Sequence, residues 1–302
     1  MEDKQRFSSI SLSGGKDSTF ALLRMIEMNM PIDAVLFADT GMEFPELYDY
    51  LHKLDDHLFR ERGIHITTLR HPKGFEYMMF QEPKQKKSSL QNRARLGVPP
   101  FGNGWPGIRV RWCTGQLKTH LLTKEVNRLK KEKQAEHFIG IAADEAWRCK
   151  NENGNRYPLV EWGVTEAEAL QGCYDRGFDF GGLYRIYHRC SCWCCPFQRI
   201  NELRNLRKYH PELWLQLLDM DERARQQFGD TPLGRFKSNC TVADLEERFA
   251  KEESQICFIP KTETCWPNQA VSCPSGLFFC PEIRRRKIRW QCFVLKEIEI
   301  LP

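Results

Sequence analysis

"SISLSGGKDSTFALLRM", residues 9–25, passes from alternating apolar residues into Ser-Gly-Gly-Lys-Asp-Ser and then into helical periodicity. That order is a strand, a tight turn and a helix. A glycine pair after a strand lets the backbone approach a ligand closely. The helix that follows presents unpaired N–H groups and the positive end of its dipole. Lys16 adds a point charge, and Ser13 and Ser18 add hydroxyl donors. Together they describe a phosphate or pyrophosphate cradle, against the plainer alternative of an ordinary strand–helix junction. The spacing is not that of a Walker A loop.

Working outward, residues 7–12 read as a strand and 17–29 as a helix. "IDAVLFA" (32–38) is a buried-strand run, "PELYDYLHKLDDHLFRE" (45–61) an amphipathic helix opened by a proline, and "GIHITTL" (63–69) a third strand. This alternation predicts an α/β fold with a doubly wound, mostly parallel sheet. Residues 70–110 are rich in Pro, Gly and Lys and read as a long loop with room for a short helix. A basic helix over 115–133 and a strand over 137–142 follow. Thr165 with Glu168 forms a capping-box signature for a helix over 166–176. Pro211 opens a helix over 211–228, and Thr241 with Asp244 marks another start. The expected organisation is a nucleotide-binding domain over 1–160, a helical, cysteine-rich part of the same domain over 161–252, and a basic tail of unknown fold over 253–302.

The chain has 302 residues, 41% hydrophobic and 28% charged, with net charge +5. That mild basicity permits a nucleic-acid partner without requiring one. No run approaches the ~20 apolar residues of a membrane span, and "MEDKQRFSS" lacks the apolar core of a signal peptide, so a cytoplasmic location is expected. Thirteen cysteines is an odd number, which argues against a disulfide framework and for metal, iron–sulfur or redox chemistry. Cys190, Cys192, Cys194 and Cys195 lie within six residues.

"SGGKDS" (13–18) resembles the PP-loop of the N-type ATP pyrophosphatases, most of which cleave ATP between its α- and β-phosphates. Three further stretches resemble one branch, the phosphoadenosine phosphosulfate (PAPS) reductase family: "DTGMEFPELYDYL" (39–51), "RWCTGQLKT" (111–119) and "GIAADEAWRC" (140–149). The resemblance runs from residue 8 to about 250. It implies an adenine nucleotide alpha-hydrolase-like fold that binds ATP or an adenylyl-sulfate nucleotide. Ser13, Gly14, Gly15, Lys16, Asp17 and Ser18 would hold phosphates, with Asp39, Thr40 and Gly41 near the ribose or a metal ion. Arg109, Arg111 and Lys118 would neutralise developing charge. Asp144, Glu145 and Arg148 would close the site or hold Mg²⁺. Lys16, Asp17, Arg111 and Asp144 are the catalytic candidates, and Lys118 and Arg148 join the nucleotide-binding set.

Adenylylsulfate reductases of this branch hold a 4Fe–4S cluster with a Cys-Cys pair and, roughly eighty residues later, a Cys-x-x-Cys. Here Cys113 stands 79 positions before Cys192, and Cys192 and Cys195 form the later pair. Thr114 replaces the second cysteine of the first pair. The resemblance therefore implies three ligands, Cys113, Cys192 and Cys195, with Cys190 or Cys194 as the fourth, for an iron–sulfur cluster or for zinc. Aromatic residues nearby (Trp162, Tyr174, Phe178, Phe180, Tyr184, Tyr187, Trp193) read as a shield for that site or as a base-stacking platform.

The family's catalytic Glu-Cys-Gly-x-x-x-His motif is absent, although the tail carries Cys257, Cys265, Cys273 and Cys280. The leading expectation is thus adenylation with pyrophosphate release, or sulfur transfer. The alternatives are a sulfonucleotide reductase with a relocated cysteine, a nucleic-acid thiolation or phosphorothioation protein, and a non-catalytic nucleotide-binding regulator. In the nucleic-acid version, Lys84, Lys86, Lys87, Arg93, Arg95, Lys124, Arg128, Lys130, Lys131 and Lys133 would contact phosphates. A sulfur- or electron-donor protein and a homodimer complete the expected partners, with no membrane.

Overall fold

The computed structural model describes residues 6–257 except 109, 133, 151–153 and 191. Arg109, Lys133 and the tail from 258 therefore lie outside the described residues. Five parallel strands form one sheet: β1 (Arg6–Leu12), β2 (Ala34–Asp39), β3 (Ile66–Arg70), β4 (Gln134–Ile139) and β5 (Asn155–Arg156), in the order β3-β2-β1-β4-β5. The expected α/β fold with a parallel sheet is what is found. Ile10, Val35, Leu36 and Phe37 are buried in its centre, as strands covered on both faces require. The chain leaves β1 to build β2 and β3 on one side, then returns to build β4 on the other. The order reverses between β1 and β4, and a crevice at that point is where open α/β sheets bind ligands.

The helices are α1 (Lys16–Glu27), α2 (Pro45–Arg62), α3 (Gly74–Phe80), α4 (Lys87–Leu96), α5 (His120–Glu132), α6 (Pro158–Glu161), α7 (Glu166–Asp175), α8 (Leu183–Ile186), α9 (Ile200–Tyr209), α10 (Pro211–Phe228) and α11 (Val242–Cys257). The capping box of α7 forms as its sequence predicts. That helix packs on α1 at Gly172, where a Cβ would come within 2.2 Å of the Phe20 ring. The compact unit that carries the site runs to Phe249.

Several boundaries differ from expectation. Residues 70–110 hold two helices rather than one long loop with a short one. The segment after α4 is fixed by Arg93, which is buried and donates to the carbonyls of Pro99 (2.7 Å), Phe101 (2.9 Å) and Gly102. Arg93 is thus a brace for its own loop and does not face a phosphate. The basic helix begins with a π-helical turn, Cys113–Thr119, before α5. β4 ends at Ile139, earlier than expected, because Gly140 lies against the PP-loop: a Cβ there would be 2.4 Å from the Ser18 Cα. The aromatics singled out for the thiols mostly pack elsewhere. Phe180 lies on Tyr50 and Tyr184, and Tyr187 on Phe44 and His210.

Candidate functional site

The turn at residues 13–18 sits at the carboxyl end of β1, at the reversal point of the sheet. Gly14 has φ +76°, a region open to glycine at little cost, and a Cβ there would press on Leu47. Ser13 and Ser18 brace the turn: the Ser13 N–H donates to Ser18 Oγ (3.0 Å), and the two hydroxyls are 2.9 Å apart. The Lys16 N–H donates to the Tyr184 hydroxyl (2.9 Å).

Lys16 is buried. Its ammonium lies 2.8 Å from Glu166 and 3.3 Å from Asp17. Burial raises the Asp17 pKa, and the field of Lys16 only partly offsets it. Asp17 Oδ1 is buried without a hydrogen-bond partner. One ligand atom each from Asp17, Glu145 and Glu166 fall within 4.8 Å of one another, a set of hard oxygen donors of the kind that suits Mg²⁺. Asp144 is placed differently from Glu145: its carboxylate accepts the Glu166 N–H (3.1 Å) and anchors the start of α7. Glu145 pairs with Arg148 and with Arg189 (3.4 Å), so Arg148 is tied to a carboxylate at the rim.

Asp39 ends β2 and is 2% exposed. It accepts from the Gly41 N–H (2.7 Å), the Tyr48 hydroxyl (2.8 Å) and Arg70 Nε (2.9 Å). Burial alone would raise its pKa, but these three donors outweigh it and hold the carboxyl below the ordinary value. Asp39 thus fixes the turn that follows. That turn delivers Thr40 and Glu43 toward the cysteines instead of toward the PP-loop. Glu43 is buried and accepts from the Thr40 hydroxyl (3.1 Å), Lys118 Nζ (2.9 Å) and the Cys192 thiol (3.4 Å). Lys118, expected at a phosphate, is therefore engaged at the thiols. Its pKa is raised: burial lowers it, but Cys192, Glu43 and Cys113 together outweigh that.

The Trp193 N–H donates to the Met42 carbonyl (3.0 Å), which docks the cysteine segment on the same turn. Gln198 Nε2 donates to the Cys192 carbonyl (3.0 Å) and closes the Cys192–Cys195 bend. Cys194 is buried, and Cys192, Cys195 and Cys113 all act electrostatically on it. Cys190 stands apart: Glu43 and Lys16 act on it, and burial pushes its thiol up to about 12. Burial is the largest cause at every one of the five thiols and raises each pKa. An uncharged thiol is what a buried cysteine becomes when no cation compensates it; a metal would reverse that. The cysteines are free. No three of their sulfurs fall within 4.8 Å among the described residues, whereas four thiolates ~2.3 Å from one zinc would be about 4 Å apart. The donor set is all thiol, and it is spread more widely than a preformed zinc site. Arg111, the remaining catalytic candidate, stacks on Phe197 at 4.9 Å and acts electrostatically on Cys113 and Cys195.

Residues 8–96 match the phosphoadenosine phosphosulfate reductase domain. The match bears out the PAPS reductase family resemblance within the PP-loop superfamily, and it contains both "SGGKDS" and "DTGMEFPE". Two uncharacterized proteins of Methanocaldococcus jannaschii are similar. One is 25% identical over 225 residues, 68% of this chain and 39% of its own; the other is 24% identical over 243 residues, 74% and 49%. The chain thus spans half or less of the length of these relatives. PAPS reductase family domains bind nucleotides and are typically enzymatic. No helix among the described residues is long and apolar enough to cross a membrane. Glu43 and Glu166 are contacts of the site that motif reading did not single out, and Tyr184, read as part of an aromatic shield, instead accepts from the Lys16 N–H. Glu43 lies inside a quoted motif, but nothing in the linear sequence pairs it with Lys118 or Cys192.

Proposed function

We propose that the chain binds ATP or an adenylyl-sulfate nucleotide at the PP-loop and performs α-phosphate or sulfur-transfer chemistry beside a thiol-held centre. The observation that carries this reading is the pair of connections made by strand ends: the Gly-Gly-Lys turn follows β1 at the reversal of the sheet, and the turn after β2 holds Cys192 through Thr40 and Glu43. Nucleotide phosphates would take Lys16 from Glu166 and the Lys16 N–H from Tyr184. Asp17 and Glu166, released from Lys16, would then hold Mg²⁺ on the phosphates together with Glu145, which would turn from Arg148 and Arg189. Arg111, beside Cys113 and Cys195, would neutralise charge at the thiol centre.

Cys113, Cys192, Cys194 and Cys195 would hold a 4Fe–4S cluster, with zinc the lesser fit because of their spread. Cys194 is favoured over Cys190 as the fourth ligand because it is buried inside the Cys192–Cys195 bend. A cluster would supply a sulfur-carrying or electron-carrying site, and a reducing, cytoplasmic setting suits it. Anaerobic reconstitution with iron and sulfide, followed by metal analysis, tests the ligand set. Cys194→Ser is expected to lose metal and Cys190→Ser to retain it; retention by Cys194→Ser excludes Cys194. Release of AMP or pyrophosphate from ATP tests the chemistry, and intact ATP with every candidate acceptor would leave only a nucleotide-binding regulator.

A further inference from the structure

A cavity of about 650 Å³ opens beside the thiols, on the Cys195 side. Its size falls within the ~300–1,000 Å³ of small-molecule sites. It is bounded by the loop over 103–112, the Pro196–Phe197 turn and the segment over 232–239, and no lining residue belongs to the PP-loop or to the turn after β2. The inner wall is aromatic and fixed. Trp105 and Phe236 are buried and meet edge to face at 4.9 Å. The Trp105 indole donates to the buried Asp221 (3.1 Å), and the Trp112 indole donates to the Gly104 carbonyl (3.1 Å). The mouth is apolar and open: Val110 is 65% exposed and Ile108 85%.

Charge in this cavity has one sign. Among the described residues no carboxylate lines it, and the charged lining residues are Arg235 and Lys237. Arg235 is neutralised by Asp230. Lys237 is not neutralised: its ammonium donates to the carbonyls of Pro196 (2.5 Å) and Gln198 (2.8 Å), with no carboxylate within ion-pair distance among the described residues. Arg111, stacked on the lining residue Phe197, likewise has no carboxylate partner among the described residues. Both cations act electrostatically on Cys195. An aromatic lining suits a ring, and the lining ammonium of Lys237, without a counter-charge among the described residues, suits an anion.

We infer that this cavity is the acceptor pocket and binds a small molecule made of a planar ring with an anionic substituent. The acceptor role rests on the function proposed above; the binding of such a molecule does not. The test is a fluorescence titration of the full chain with 1-anilinonaphthalene-8-sulfonate, a planar aromatic anion, beside the neutral N-phenyl-1-naphthylamine. One saturable sulfonate site per chain is expected, and excess ATP should not displace it. Val110→Asp places a carboxylate at the exposed mouth. It should weaken the sulfonate about tenfold, as about 1.4 kcal/mol of lost electrostatic attraction would, and shift the neutral probe less than twofold with an unchanged melting curve. Ile108→Asp serves in the same way should Val110→Asp melt early. An absent or unsaturable site, displacement by ATP, or equal effects on the two probes would overturn the inference. ATP binding measured on the same sample separates the two readings. Lost ATP binding with retained probe binding removes the acceptor role and leaves the cavity as a binding site, whereas the reverse removes the cavity alone.

Discussion

Replacing Glu43 by Gln removes one charge from a place where three donors converge. The Glu43 side chain is 2% exposed and pairs with Lys118 at 2.9 Å. Breaking a fully buried ion pair from one side costs about 3–5 kcal/mol, because the remaining charge is left uncompensated. Lys118 keeps 33% of its side chain in solvent, which lowers the cost, and glutamine retains one acceptor for the Thr40 hydroxyl. The expected loss is therefore about 2–3 kcal/mol, a fall in melting temperature of roughly 5–10 °C for a domain of this size. Lys118→Met should cost a similar amount. The double variant should cost little more than either single, giving a coupling of about 2 kcal/mol. Urea unfolding of reduced, chelator-treated protein measures this without a contribution from bound metal. Single losses that add to within about 0.5 kcal/mol would show that Glu43 and Lys118 do not act as a pair, and the link between the β2 turn and the thiols would lose its basis.

Tyr184→Phe frees the Lys16 N–H for a phosphate oxygen. A neutral hydrogen bond is worth roughly 0.5–1.5 kcal/mol, so calorimetry should show ATP binding about 2–10-fold tighter; weaker binding would mean that the hydroxyl itself contacts the nucleotide. Gly140→Ala would drive a Cβ into the backbone at Ser18, with a loss of about 1–3 kcal/mol and of ATP affinity; a stable variant with normal affinity would refute the close packing of the β4 exit on the PP-loop. The Asp39 carboxyl is held below its ordinary pKa of 3.8, so its stabilisation is present above that value and disappears as pH falls through the lower folded-state value. Asp39→Asn should be less stable than the parent at pH 7, and the gap should begin to narrow once the pH falls below about 4; a gap in urea melts that is unchanged from pH 7 down to the lowest pH at which the parent folds would contradict the assignment.

The fold was legible where its signals are local. Thr165 and Glu168 stand three residues apart, so the α7 cap could be read directly, and the glycine pair marks the turn between β1 and α1. The α4 helix was hidden because "KSSLQNRARL" carries no apolar stripe and only Arg93 is buried in it. What holds the loop beyond α4 is that guanidinium reaching carbonyls six to nine residues away. In the site, residue types were legible but partners were not. Lys118 looked like a phosphate ligand because nothing in sequence announces Glu43, 75 positions earlier. Glu166 read only as the first turn of a helix, while its ammonium partner Lys16 lies 150 positions before it. Cys190 and Cys194 were equivalent by spacing, and only the structure shows Cys194 buried inside the Cys192–Cys195 bend.

The central claim is an adenine nucleotide held by Lys16 in the turn after β1. Isothermal titration of the anaerobically reconstituted chain with ATP and Mg²⁺ tests it most directly. One site per chain is expected, with binding lost in Lys16→Ala, which is destabilised by the loss of its buried ion pairs but stays folded at the titration temperature. Absence of binding in the parent chain, or undiminished binding in the folded Lys16→Ala variant, would contradict the account.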